Sequence, residues 1–225
     1  MSFAPSFLLL DLDGTLIDTA PDLAAAANHV LASLGRPAAP MEKIRSFIGN
    51  GVRELMRRAL ALTAEPSEKE LDAAMAIFSA YYGEHLHRHS LPYPGVPETL
   101  AALHGKTPLV CITNKSAQFT LPLLAHFGMA DYFSLILSGD SLPRKKPDPL
   151  PLTHAARHFA HQPEEGLLVG DSINDTKAAR AAGMPVVCVS YGYRGDMPVA
   201  NLAADAIIDT MPELLSLLRP EDNYS

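Results

Sequence analysis

The stretch SFLLLDLDGTLIDT, residues 6–19, places two carboxylates directly after a run of apolar residues. The run 7–10 has the composition of a buried β-strand, and Asp11 and Asp13 follow it with one leucine between them. In an extended chain, residues two positions apart point to the same side. The sequence therefore predicts that both carboxylates face one point at the end of a core strand, where a positive group must offset their repulsion.

From Pro108 onward the chain alternates between strand-like and helix-like stretches, a pattern typical of a parallel sheet. The apolar runs that resemble buried strands lie at residues 108–113, 134–139, 166–171 and 185–190. The stretches between them carry apolar residues at helical spacing. Together with residues 7–13, they predict an α/β fold with a doubly wound, Rossmann-like sheet of about five parallel strands. Residues 206–209 and 211–218 predict a further edge strand and a last helix.

Residues 18–90 differ from the rest of the chain, because they contain helical patterns but no strand-like run. We expect this block to be an all-helical cap domain inserted after the first strand. The α/β core would then comprise residues 1–17 and 91–225, with hinges around 17–20 and 91–95.

The composition is that of an ordinary globular protein, with 225 residues, 48% hydrophobic residues and a net charge of −7. A negative charge argues against a nucleic-acid partner, since phosphate backbones require a basic surface. No apolar run approaches the length of a membrane span, and no secretory signal is visible. The only two cysteines, Cys111 and Cys188, lie in strand-like runs, which predicts reduced thiols and a cytoplasmic location. The sequence leaves open whether the protein is a monomer or a homodimer.

Polar residues follow three of the predicted strands, at the edge where parallel sheets bind their ligands. They are Asp11, Asp13, Thr113, Asn114, Asp171 and Asp175, with Lys146 in a loop between two strands. Carboxylates at this density suit Mg²⁺, a hard cation that also keeps room for water and phosphate oxygens. Thr113 and Lys146 would hold an anion, so the set predicts a site for a phosphoryl group.

Each of these residues also has a structural interpretation. Ser172 and Asp175 are spaced as a helix capping box. Thr113 is an ordinary β-branched strand end, and Lys146 fits a solvated loop. The pair Asp11 and Asp13 is harder to explain in this way, and the placement of the whole set at strand ends favours a functional site.

Four motifs in this order resemble those of the haloacid dehalogenase superfamily of phosphatases. They are DLDGTLIDT at 11–19, CITN at 111–114, KKPDP at 145–149 and LLVGDSIND at 167–175. The helical block after the first motif is similar to the small cap of one subgroup, which closes over the substrate. The resemblance spans essentially the whole chain.

The resemblance implies roles for the motif residues. Asp11 would be the nucleophile that forms an aspartyl-phosphate, and Asp13 would be the general acid and base. Mg²⁺ would bind to Asp11, to the backbone carbonyl of Asp13 and to Asp171, with Asp175 in or just outside the ligand set. The residues implied to contact the phosphoryl group or the substrate are Thr113, Lys146, Gly14, Thr15 and Asn114.

Two further stretches, 47–56 and 186–214, resemble bacterial phosphoglycolate phosphatases, which hydrolyse 2-phosphoglycolate to glycolate and phosphate. On this resemblance, Asn50 and Arg53 are candidates for binding the substrate carboxylate, since arginine binds carboxylates through its forked donors. A solvated helix surface is an equally open interpretation of Arg53.

Other functions remain open from the sequence. The same motifs fit a phosphatase for another small metabolite, such as a sugar phosphate or a nucleotide, and a phosphosugar mutase. A haloacid dehalogenase does not need the acid at position 13, so Asp13 favours phosphate chemistry. A non-catalytic receiver module also pairs an acidic Mg²⁺ site with a threonine and a lysine, but it lacks a helical insert after its first strand.

Overall fold

The fold is built on a parallel sheet and was obtained as a computed structural model that describes residues 2–195 and 197–218. In chain order the strands are β1 (Phe7–Leu10), β2 (Ile17–Asp18), β3 (Leu91–Pro92), β4 (Leu109–Ile112), β5 (Leu135–Leu137), β6 (Gly166–Gly170), β7 (Val186–Val189) and β8 (Ala206–Ile208). Six of them form one sheet in the order β5-β4-β1-β6-β7-β8, and every neighbouring pair in it is parallel. The predicted α/β fold is therefore confirmed, with the edge strand included. Residues 1, 196 and 219–225, assigned to the core from the sequence, lie outside the described residues.

The central strand explains why its sequence is continuously apolar. Successive side chains of a strand point to opposite faces of the sheet. In β1, Leu8 and Leu10 join the core on one face, while Phe7 and Leu9 join the core on the other. All four side chains are at most 1% exposed. A strand buried on both faces needs this pattern because helices cover both sides of the sheet.

The helices are α1 (Ala20–Ser33), α2 (Met41–Arg45), α3 (Val52–Ala61), α4 (Glu68–Glu84), α5 (Val96–Leu103), α6 (Ala117–His126), α7 (Leu150–His158), α8 (Ile173–Ala182) and α9 (Glu213–Leu217). Among the described residues, no helix combines the length and the apolar character needed to cross a membrane. Gly183 ends α8 with φ of +74°, a left-handed conformation that glycine adopts without steric cost.

Helices α1 to α4 follow one another without a strand and pack mainly against each other, with α1 in contact with α2, α3 and α4. Strands β2 and β3 flank this block and pair with each other in antiparallel fashion, with Ile17 opposite Pro92 and Asp18 opposite Leu91. The chain therefore enters and leaves the helical block side by side.

The segment after α4 is held against α1 by hydrogen bonds. The helix ends at Glu84, and the chain then turns toward α1. The buried carboxylate of Asp22 accepts hydrogen bonds from the backbone N–H groups of His89 and Ser90 and from the Ser90 hydroxyl, at 2.7–3.0 Å. These bonds fix residues 89–90 against α1, which a continued helix would not allow.

Candidate active site

Three neighbouring strands bring the predicted motif residues to one edge of the sheet. Asp11 follows β1, Thr113 follows β4 and Asp171 follows β6, and β1 lies between the other two strands. All three side chains line one pocket. Asp13, Asn114, Lys115, Ser172 and Tyr193 also line it from the core, and Leu23, Ile48, Gly49, Gly51, Val52 and Leu55 line it from the helical block. The carboxyl ends of parallel strands therefore form this pocket, as expected for an open α/β sheet.

Lys146 lies beneath the pocket and holds Asp11. Its Nζ atom is 3.0 Å from Oδ1 of Asp11 and 2.7 Å from Oδ1 of Asp175, and it donates to the backbone carbonyl of Ile112 at 2.8 Å. An ammonium group has three N–H donors, so these three acceptors use all of them. Lys146 is 2% exposed and is therefore a buried counter-charge, not a solvated loop lysine.

Asp175 combines the two interpretations that its sequence allowed. Its Oδ2 atom accepts from the backbone N–H of Ser172 at 3.0 Å and from the Ser172 hydroxyl at 2.6 Å, which caps helix α8. Its Oδ1 atom pairs with Lys146. The Oδ2 atom also accepts from the backbone N–H of Asp171 at 3.3 Å, and its three donors make Asp175 suited to orienting Lys146 and Asp171.

Asp171 is held by Thr15 of the first motif and by the backbone at Tyr193. Its Oδ1 atom accepts from the Thr15 hydroxyl at 3.3 Å, and its Oδ2 atom accepts from the backbone N–H of Tyr193. Gly14 has φ of +86°, and a Cβ atom at this position would lie 2.3 Å from Oδ2 of Asp171. The motif glycine therefore leaves space for this carboxylate, and Thr15 contacts Asp171; neither residue lines the pocket.

The carboxylates at the floor of the site carry more negative charge than the lysine beside them can balance. Burial raises the pKa of Asp11 to about 7, opposed by the charge of Lys146 and reinforced by that of Asp175. Burial also raises the pKa of Asp171 well above its usual range, as do the charges of Asp175 and Asp11. Oxygen atoms of Asp11, Asp171 and Asp175 lie within 4.8 Å of one another. This donor set fits a hard divalent cation, which would supply the missing positive charge.

Asp13 has a partner that the sequence analysis missed. The Nζ atom of Lys115 lies 3.0 Å from Oδ1 of Asp13, and the Thr19 hydroxyl donates to the same oxygen at 2.7 Å. Burial alone would lower the pKa of Lys115, but the neighbouring Asp13 and Tyr82 hold it above its ordinary value. The signal in the sequence was a lysine two residues beyond Thr113, in the loop that follows a buried strand.

The loop before α3 docks on the core through amide side chains. Asn114 donates from Nδ2 to the backbone carbonyls of Gly49 and Lys146, both at 2.8 Å. Asn174 donates to the Gly49 carbonyl and to Oδ1 of Asn50, both at 3.1 Å. Asn114 thus joins the core to the helical block, although it also borders the pocket. Asn50 meets the core and is not among the pocket residues.

Arg53 lies on the outer surface of the helical block. Its guanidinium group pairs with Glu68 and with Asp72 at 2.7 Å in each case, and its side chain is 47% exposed. Both partners lie on α4. Arg53 therefore does not line the pocket, and it has the solvated arrangement that the sequence left open.

Comparison with known proteins extends these observations to the whole chain. Residues 8–189 match the family model described as haloacid dehalogenase-like hydrolase. The chain is 52% identical over 209 residues to a phosphoglycolate phosphatase of Thiobacillus denitrificans, with 92% of each chain covered. It is 49% identical to a phosphoglycolate phosphatase of Nitrosospira multiformis, with 94% of this chain and 95% of the relative covered.

A solved structure shows the same architecture. The crystal structure of a predicted phosphoglycolate phosphatase from Haemophilus somnus superimposes with a TM-score of 0.90 at 38% identity, covering 94% of this chain and 97% of the other. The sequence match and the shared fold agree with the order of the motifs around the pocket. The chain therefore belongs to the haloacid dehalogenase-like hydrolase family.

Proposed function

We propose that the protein is a Mg²⁺-dependent phosphomonoester hydrolase that acts through an aspartyl-phosphate intermediate. One observation carries this proposal: Asp11 and Asp13 border the same pocket, yet each is paired with a different buried lysine. Two carboxylates with separate partners can perform separate tasks, one as nucleophile and one as acid and base.

In the first step, a carboxylate oxygen of Asp11 attacks the phosphorus atom, and the bond from phosphorus to the ester oxygen breaks. Asp13 donates a proton to the leaving alkoxide. In the second step, Asp13 takes a proton from a water molecule as that water attacks the phosphorus. The bond between phosphorus and Asp11 breaks, which releases inorganic phosphate and restores Asp11 as a carboxylate and Asp13 in the protonated form in which it began the cycle.

Mg²⁺ would be held by Asp11, Asp171 and the backbone carbonyl of Asp13. Asp175 would orient two of the neighbouring residues, Lys146 and Asp171, through its hydrogen bonds. When bound, the cation neutralises part of the negative charge on the phosphoryl group. Thr113, which borders the pocket, and Lys146 would bind the phosphoryl oxygens, and a phosphoryl oxygen would have to replace one of the present acceptors of Lys146.

We propose 2-phosphoglycolate as the substrate. The relatives named above support it, since two of them are phosphoglycolate phosphatases that align over more than nine-tenths of the chain. The apolar side chains of Leu23, Ile48, Val52 and Leu55 limit the room above the carboxylates, which suits a small ester.

We further propose that residues 18–90 are a cap domain that opens and closes over the pocket. Strands β2 and β3 lie at the two ends of this block and pair with each other in a separate two-stranded sheet. We propose that they are the hinge. A cytoplasmic location is proposed because Cys111 and Cys188 are both buried free thiols.

The test is phosphate release from a panel of phosphomonoesters that includes 2-phosphoglycolate, sugar phosphates and nucleotides, each with Mg²⁺ and after exhaustive chelation. We expect the highest kcat/KM on 2-phosphoglycolate and loss of activity without the metal. A higher kcat/KM on another ester would make that ester the substrate in place of 2-phosphoglycolate. Transfer of phosphate between sugar positions without its release would indicate a mutase. Full activity after chelation would contradict the role of the metal.

A further inference from the structure

Lys115 is a buried cation on the wall of the pocket with two partners. Its side chain is 1% exposed, and its Nζ atom lies 3.0 Å from Oδ1 and 3.4 Å from Oδ2 of Asp13. It also donates to the hydroxyl of Tyr82 at 2.8 Å. The contact with Oδ2 is the longest of the three, so the N–H that faces it can turn to an acceptor of a ligand while Oδ1 and Tyr82 keep their donors.

The two buried lysines of the site, Lys115 and Lys146, differ in whether they can donate to a ligand in the pocket. Lys146 already donates to three acceptors below the pocket, and it does not line the pocket. Lys115 lines it directly. Among the described side chains that line this pocket, Lys115 is the only one with a full positive charge, whereas Asp11, Asp13 and Asp171 are acidic. If a substrate carries an anionic group in addition to its phosphoryl group, Lys115 is the one side-chain cation of this lining that can bind it.

Lys115 lies where the carboxylate end of 2-phosphoglycolate, the part that does not react, is expected. Tyr82, its second partner, belongs to α4 in the helical block, so Lys115 lies between Asp13 and that block. Asp13 must reach the ester oxygen to protonate it. In 2-phosphoglycolate a single carbon separates the ester oxygen from the carboxylate. A cation that touches Asp13 is therefore within reach of that carboxylate.

We propose that Lys115 binds the substrate carboxylate and so selects short phosphorylated acids over neutral phosphate esters of the same size. This inference rests on the proposed function of the site. Tyr82 holds the ammonium in place from the helical block, and a carboxylate oxygen occupies its third donor. Lys115 takes the role for which the resemblance had offered Asn50 and Arg53 as candidates.

The test compares 2-phosphoglycolate with 2-hydroxyethyl phosphate, which replaces the carboxylate with a neutral hydroxymethyl group. The wild-type protein should favour 2-phosphoglycolate in kcat/KM. In Lys115→Met, which keeps chain length but has no donor, this preference should fall about 10- to 150-fold, the range for a charge-assisted hydrogen bond. Lys115→Gln, a second variant without the charge, should lose the preference as well.

Lys145→Met is the matched control, because Lys145 also bridges core and helical block, donating to the backbone carbonyl of Asn50 at 2.9 Å, but does not line the pocket. It should change both esters by the same factor. Equal losses on both esters in the Lys115 variants would overturn the proposal and leave Lys115 as a residue that only positions Asp13. Should neither variant fold, a wild-type protein without preference between the esters would also overturn it. A wild-type protein that hydrolyses neither ester would instead contradict the proposed function.

Discussion

Lys146 and Asp175 form an ion pair with 2.7 Å between Nζ and Oδ1, and their side chains are 2% and 0% exposed. The pair joins the loop before α7 to the start of α8, and it places the lysine against Asp11. A buried charge that loses its partner keeps its desolvation cost without the compensating attraction. The ion pair therefore fixes the position of Lys146, and through it the position of Asp11.

Replacing Asp175 with asparagine should destabilise the protein. The amide would present a donor to the N–H of Ser172 or to Lys146 and leave a buried donor unsatisfied, while Lys146 keeps Asp11 as its counter-charge. We expect the free energy of unfolding to fall by about 1–3 kcal/mol, the cost of a buried hydrogen-bonding group without a partner. Urea denaturation measures it. Arg144→Gln, which removes an exposed pair with Asp148, is the control and should leave the urea midpoint unchanged. A similar midpoint for both variants would show that Asp175 does not support the fold.

Asp13→Asn should stop the reaction after its first chemical step when the leaving group needs no proton. With 4-nitrophenyl phosphate, we expect a burst of up to one equivalent of nitrophenolate and then slow turnover, because no group remains to activate water. Steady-state turnover should drop by about 10²- to 10⁴-fold, the usual contribution of general acid and base catalysis. Stopped-flow absorbance measures both phases. Wild-type turnover in this variant would remove Asp13 from the mechanism.

Mg²⁺ should stabilise the wild-type protein even without substrate, because it offsets the excess negative charge of Asp11 and Asp171. At a concentration of 100 times Kd, binding adds about 2.7 kcal/mol. For a chain of this size that corresponds to a rise in Tm of about 5–10 °C. Differential scanning calorimetry of the chelated and reloaded protein measures the shift. Asp171→Asn should show a much smaller rise, and an equal rise in both proteins would place the cation elsewhere.

Arg53→Ala should leave substrate preference unchanged. Its guanidinium group is engaged with Glu68 and Asp72 on α4 and lies outside the pocket. We expect the ratio of kcat/KM for 2-phosphoglycolate to that for 2-hydroxyethyl phosphate to equal the wild-type ratio. A selective loss on 2-phosphoglycolate would return the carboxylate-binding role to Arg53 and would require the helical block to move on substrate binding.

The sequence by itself determined the sheet and the floor of the site. Apolar runs of strand length, separated by helical spacing, were enough to predict the parallel core. Asp11, Thr113 and Asp171 each follow such a run, and the carboxyl ends of parallel strands share one edge of the sheet. These features depend on residues close together in the chain, which is why a local pattern can predict them.

Only the tertiary structure decided which partners the side chains have. Lys115 meets Asp13 across 102 positions of sequence and Tyr82 across 33, and Asn174 meets Asn50 across 124. Arg53, which the resemblance offered as a candidate for binding substrate, pairs instead with the acidic residues of α4. A charged side chain pairs with whichever opposite charge the packing brings within a few ångströms, and that distance depends on how the helical block rests on the sheet.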